Sequence, residues 1–307
     1  MVRSGRLSTN SFLPRVPASE QRYQMPVSHP PDTDTLIQAF IETYKTSSEA
    51  TPVELVRQYH EVTKYTAKNP NKGSTAVASA LNLPRSRIRS WVDGDGRPDA
   101  VRGMQKAQRN GWFNLDWDSP TLQTLNVLVA WIFSGGSIND NWVPALTVTD
   151  ETRSVATEAL DRIGTGSVAF READDGRATE LRPATDASVL GRLLYALGAP
   201  KGVKSSETPL SLPLYLLNGP EHLRLAFART YVINRGTKRP DRPQSPVQIA
   251  EERDTEFQQE IRTFIQSVTN GQAVHGDAPS WRLSAAAAYQ LDQPPDIPDG
   301  STDDTDR

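Results

Sequence analysis

Between residues 120 and 290 the chain passes twice through one order of elements, so any fold proposed for it has to accommodate an internal repeat. An apolar helical pattern runs to Ser134, followed by a hairpin to Thr149 and a helix from Thr152 to Ile163. A second hairpin turns across Asp174, Asp175 and Gly176, a helix covers Ala187 to Leu197, and a loop ends at Pro213. A helix from Glu221 to Asn234 then restarts the series. The halves differ in sequence and share their pattern of periodicities.

The longest apolar runs, such as Leu125 to Phe133, fall far short of the ~20 residues that span a bilayer. Arg3 and Arg6 are followed by no apolar stretch, which excludes a secretory signal at this N-terminus. Without cysteine there is neither a disulfide nor a thiolate metal site, and a cytoplasmic location is the default expectation. The net charge of −3 argues at first against a nucleic-acid binder. Its distribution reverses that reading. Six aspartates lie between residues 292 and 307, whereas residues 70 to 110 carry eight Lys and Arg against Asp93, Asp95 and Asp99. An acidic tail masks a basic segment.

Residues 1–32, with five prolines and few large apolar side chains, read as a disordered arm, and 292–307 as a disordered acidic tail. Leu36, Ile37, Phe40, Ile41 and Tyr44 repeat at helical spacing. A second helix opens at Thr51, with Pro52 in its first turn and Glu54 placed for a capping box, and stops before Pro70. A tri-helical pattern follows: Ser74 to Ala80, Pro84 to Val92, and Pro98 to about Arg109.

The segment Thr75 to Trp91 resembles a helix-turn-helix. Ala78 is small where two helices approach, and Val77, Leu81, Leu83, Ile88 and Trp91 are spaced to form a small core. Asn82 occupies the turn position that needs a left-handed backbone, which Asn tolerates. That leaves Arg85, Ser86, Arg87, Arg89 and Ser90 on the outer face of the second helix, where arginines can pair with guanine or clamp phosphate. A solvated face of an ordinary bundle would have the same charges; the absence of any acid on that helix favours DNA.

Leu128-Val-Ala-Trp-Ile-Phe-Ser-Gly-Gly136, followed about one hundred residues later by Phe227-Ala-Arg-Thr-Tyr-Val-Ile-Asn-Arg-Gly236, resembles the paired motifs of LAGLIDADG (homing-endonuclease-like) proteins. Leu197 to Lys204, then Leu212 and Pro213, resembles the lysine-bearing segment before the second motif. The resemblance implies two motif helices packed along a pseudo-twofold axis, with small residues such as Ala130, Ser134, Thr230 and Asn234 at their contact. In active members the residue before each final glycine is an acid that holds a divalent metal. Here those positions are Gly135 and Arg235, so the motifs are degenerate, and neither residue offers a carboxylate. Lys204 matches the family lysine that stabilises charge; without the acids it is expected to meet a phosphate or solvent. Asp140 is a substitute ligand only in principle, since it should lie along the first strand, away from the helix end. The family's concave strand face implies DNA contacts for Arg171, Arg177 and Arg182 in the first half and Lys238, Arg239 and Arg242 in the second.

His29, His60, His222 and His275 have no ligand spacing, and Asp93-Gly-Asp-Gly96 lacks the later acids of a calcium loop and reads as a turn. The expected chain is therefore α+β: an all-α helix-turn-helix domain over 33–117, then a two-motif LAGLIDADG-like αββαββα pseudo-dimeric domain over 118–291. The expected function is sequence-specific double-stranded DNA binding and transcriptional regulation, with no catalytic residue and no cofactor. The expected LAGLIDADG core is monomeric, and the N-terminal helices are left free to dimerise. Two alternatives remain open on the residues: a divergent active endonuclease, which would need Mg2+, and a DNA-binding accessory protein of a mobile element.

Overall fold

The computed structural model describes residues 30–46, 49–172, 178–237, 246–269, 274–276 and 280–298. Within them the chain is α+β, with helices surrounding two antiparallel four-stranded sheets. Five N-terminal helices come first: α1 (Thr33–Glu42), α2 (Pro52–Lys68), α3 (Ser74–Leu81), α4 (Arg85–Val92) and α5 (Asp99–Arg109). The first αβ half is α6 (Pro120–Ser134), β1 (Gly136–Ile138), β2 (Pro144–Val148), α7 (Arg153–Arg162), β3 (Ser167–Phe170), β4 (Thr179–Pro183) and α8 (Ala187–Ala196). A short helix, α9 (Leu214–Leu217), leads to the second half. That half is α10 (Glu221–Arg235), β5 (Gly236–Thr237), β6 (Val247–Ala250), α11 (Thr255–Val268), β7 (Val274–His275), β8 (Ser280–Leu283) and α12 (Ala285–Leu291).

The central element is α6. Twelve of its fifteen residues are buried, including Leu125, Leu128, Trp131, Ile132 and Phe133. A helix with no polar face has to be covered on every side. Its start is set by Pro120 in the first turn and by the Ser119 side chain, which accepts from the Leu122 amide. The buried amide side chain inside it has a partner at each polar atom: Asn126 Nδ2 donates to the Leu223 carbonyl at 2.8 Å, and the Tyr215 hydroxyl donates to Asn126 Oδ1 at 3.1 Å. Helix α10 packs along α6, and Asn234 Nδ2 donates across the pair to Ser134 Oγ at 3.0 Å.

The sheets have the same order, β1-β2-β4-β3 and β5-β6-β8-β7. Their first ladders also start alike, pairing Gly136 with Leu146 and Gly236 with Ile249. Both glycines turn the chain straight from a helix into a strand. A Cβ on Gly136 would sit 2.7 Å from the Ala145 carbonyl oxygen, and one on Gly236 would sit 2.7 Å from the Val232 carbonyl oxygen. Alternation along β2, β4, β6 and β8 sends Leu146, Leu181, Ile249 and Trp281 into the core and leaves one face of each sheet open.

Packing crosses the boundary expected at residue 117. Leu36 and Phe40 of α1, Ala107 of α5, and Trp112, Phe113 and Leu115 all join the core built on α6. Trp112 Nε1 donates to the Ile163 carbonyl at 3.0 Å, and Arg192 of α8 lies between the rings of Tyr44 and Trp142 while donating to the Thr43 carbonyl. The tri-helical grouping shifts accordingly. Val77 of α3 and Ile88 of α4 close their small core on Val62 of α2, whereas α5 packs against α1, α2 and α8. Both ends of the described residues also pack more closely than their composition suggests. Asp32 caps α1 by accepting from the Thr35 amide at 2.9 Å, Ile297 packs on the core, and Asp296 pairs with Arg229 at 3.7 Å. The remainder of the expected arm and tail, residues 1–29 and 299–307, lies outside the described residues.

Because backbone rather than a flexible side chain limits the space at the helix-to-strand turn, Gly136→Ala is expected to lower stability by about 1–3 kcal/mol. Chemical denaturation measures this directly. An unchanged midpoint would mean that α6 and β2 do not approach as closely as described.

Candidate functional site

The C-terminal ends of α6 and α10 converge on a cleft of about 640 Å³, lined by residues that include Ser134, Gly135, Ser137, Thr147, Lys204, Asn234, Arg235 and Arg253. Unsatisfied carbonyls give a helix C-terminus partial negative charge, and the cleft collects cations against it. The half-buried Lys204 donates its Nζ to the carbonyls of Ile132 and Gly136, closing the end of α6. Behind it, Arg253 Nη1 donates to the Lys204 carbonyl at 2.6 Å.

Glu251 is the carboxylate that balances this group. It is buried and accepts from the Tyr231 hydroxyl, while Arg253 Nε lies at 3.2 Å and Arg235 Nε at 3.4 Å from its Oε2. Burial, then the neighbouring Glu251 charge, pushes the Tyr231 phenol well above its ordinary value, so it remains a neutral donor. Burial also dominates at Lys204, lowering its pKa to about 7, with the charges of Arg253 and Arg235 adding to the effect and Glu251 opposing it.

Gly135 and Arg235, the motif positions before the final glycines, thus stand side by side with Asn234 at the cleft. A Cβ on Gly135 would lie 3.0 Å from Asn234 Cγ. The donor set does not suit the divalent metal that the LAGLIDADG resemblance implies for active members. Gly135 has no ligand, Arg235 is a cation, and Glu251 is committed to Tyr231 and two guanidinium groups. Among the described residues, no three His, Asp or Glu side chains come together in a group that could hold a metal ion. Asp140 departs from its expected place along a strand. It lies in the turn after β1 at the rim of the cleft, fully exposed and paired with Lys201 at 3.0 Å.

On the helix-turn-helix resemblance, Asn82 is left-handed (φ 51°, ψ 43°) between α3 and α4, and Ile88 is buried against Val77 and Val62. Trp91 meets Tyr59 edge to face at 5.6 Å. Ser86, Arg89 and Ser90 are exposed on α4. The other two arginines are tethered. Arg87 Nη1 donates to Gln58 Oε1 at 3.0 Å, and Arg85 Nε donates to Ser74 Oγ at 3.2 Å. Ser74 does not cap α3, since Gly73 precedes the helix as its N-cap; instead its hydroxyl and amide both donate to Asp93, holding that carboxyl below its ordinary value. The Asp93 turn is therefore a brace between α3 and α4. At α2, Thr51 Oγ1 accepts from the Glu54 amide at 3.2 Å, but the Glu54 carboxylate accepts from Gln58 and faces Arg57 instead of completing a capping box.

On the first sheet, Arg182 Nη2 and Arg171 Nη1 both pair with Glu180, at 2.8 and 2.6 Å, and Arg182 lies 4.4 Å over the Phe170 ring. Val168 and Phe170 are exposed on the same open face, which gives it more apolar surface than its arginines alone suggested. Arg177, Lys238, Arg239 and Arg242 lie outside the described residues. Glu251, Arg253 and Tyr231 were not among the candidates read from sequence. Their signal was present, because the buried–exposed alternation of Val247 to Ala250 continues through Glu251 and Arg253, which puts an acid and a base on the inner face.

No family model matches this chain, and no curated protein matches it. No helix among the described residues is long and apolar enough to cross a membrane.

Lys204 has a pH signature. Its ordinary pKa is 10.5 and burial brings it to about 7 in the folded chain, so between those values the unfolded chain holds more protons. Folding stability should therefore rise as pH climbs through that window, and neutral Lys204 still has two N–H donors for two carbonyls. Wild type should gain stability relative to Lys204→Met between about pH 7 and about pH 10.5. A difference that is flat or falls with pH would contradict the assignment.

Proposed function

We propose that this chain binds double-stranded DNA in a sequence-specific manner as a transcriptional regulator, with a helix-turn-helix fused to a catalytically degenerate LAGLIDADG-like domain. The observation that carries the reading is the left-handed Asn82 turn, which sets α4 against α3 with Ser86, Arg89 and Ser90 exposed on a helix that contains no acid. A helix is the right width for the major groove, and an arginine there can bond bidentately to guanine. Arg89 is the base-reading candidate, while Arg85 and Arg87 add positive charge from positions held by Ser74 and Gln58.

The paired helices α6 and α10 and their open sheet faces supply the second surface. Pairing within one chain lets two unlike halves meet unlike DNA half-sites, so an asymmetric target is expected rather than a palindrome. The core formed by the two halves is monomeric on this reading. The endonuclease alternative is disfavoured by Gly135, Arg235 and the fully engaged Glu251, which leave a metal without carboxylate ligands at the helix junction.

Purified protein should bind its target duplex and leave it uncut when magnesium or manganese is added, and Arg89→Ala should weaken binding to that site by about 1–3 kcal/mol. Two results would count against the proposal: specific, metal-dependent strand cleavage, or a triple alanine variant of Arg85, Arg87 and Arg89 that keeps both affinity and site preference.

A further inference from the structure

We infer that the cleft between the ends of α6 and α10 is an anion site for a phosphate group, with Arg235 as the contacting residue and the basic side chains of Arg253 and Lys204 behind it. On the DNA reading, on which the identity of the polymer rests, this group is a backbone phosphodiester. Three basic side chains meet at the cleft, and one buried carboxylate, Glu251, stands between the two guanidinium groups. The remaining acid at the rim, Asp140, is paired with Lys201. Part of the positive charge offsets the two helix C-termini, and the rest faces an open cleft.

Arg235 is the under-satisfied member. Its Nε is buried and makes no hydrogen bond, because Glu251 lies at ion-pair distance, 3.4 Å, without hydrogen-bond alignment. The side chain is nonetheless 32% exposed at the cleft, so an incoming oxyanion can reach the guanidinium. A planar guanidinium suits two oxygens of one phosphate, which a lysine cannot match. Arg253, with 5% of its side chain exposed, cannot be reached in this way and contributes only its charge. The depressed pKa of Lys204 fits the same picture, since burial first, and then the charges of Arg253 and Arg235, make its proton costly until an anion arrives.

The shape of the cleft favours a polymer over a small metabolite. Its lining includes Ser137 and Thr147, which alternate onto the open face of the first sheet, so the cleft opens onto that face. Gly135 leaves the floor clear where any side chain would press on Asn234.

The test uses the full chain and inorganic phosphate, with ionic strength held constant by chloride. Phosphate should raise the wild-type melting temperature and move the Lys204 titration upward. Arg235→Gln should lose most of that response, and Arg153→Gln, on the distant α7, should keep it. If the glutamine variant fails to fold, Arg235→Lys keeps a charge beside Glu251 and should show a reduced response. A parallel salt titration of duplex binding should give a slope lower by about one in the Arg235 variant. A phosphate response that depends on Arg235, in a protein that binds no duplex, would uphold the anion site and reject the DNA reading. Duplex binding with an unchanged salt slope, and no Arg235-dependent phosphate response, would overturn the anion site and leave the DNA reading standing.

Discussion

Helix α6 has no face that water can satisfy, and the architecture follows from covering it. One side is taken by α10, and the others by α7, α8 and the strands β1 and β2. A buried Leu or Phe is worth roughly 1.5–3 kcal/mol over an exposed one, so a helix with this many buried apolar residues sustains the whole assembly. Among the N-terminal helices Leu36 and Phe40 join the core that contains α6, while two small groups, Ile41–Val56–Ala100–Val101 and Val62–Val77–Ile88, stand apart.

Packing α6 beside α10 brings two helix C-termini together, and the negative ends of two dipoles need a counter-charge. A divalent metal held by two acids is one solution; permanent side-chain cations are another. The second is present here, with Lys204 on the carbonyls of α6 and Arg235 at the end of α10, tied through Glu251 to Arg253. The two guanidinium charges are always in place, whereas burial makes Lys204 give up its proton near pH 7. On the proposed reading these charges attract an anion without metal chemistry.

Much of this was legible in the residues. The repeat, the left-handed Asn82, the Pro52 start of α2 and the glycines ending both motif helices are local signals, because backbone conformation or a helix end depends on immediate neighbours. Side-chain partners across the fold were not legible. Arg87 reads as outward until α2 is packed beside α4, which puts Gln58 in its reach, and nothing near Asp93 announces Ser74, nineteen residues away. The Glu251 cluster depends on extending a strand's alternation past its hydrogen-bonded end. Packing across residue 117 was not legible either, because a basic, polar segment looks independent even when Trp112 and Phe113 belong to the neighbouring core.

The central claim is that this fold reads a defined duplex sequence, and the most direct measurement is selection from a randomised duplex library by the full-length protein, followed by sequencing. The account predicts enrichment of one asymmetric site whose preference at specific base pairs is lost with Arg89→Ala while residual non-specific binding persists. Enrichment of a perfect palindrome, or no enrichment above the starting library, would contradict it.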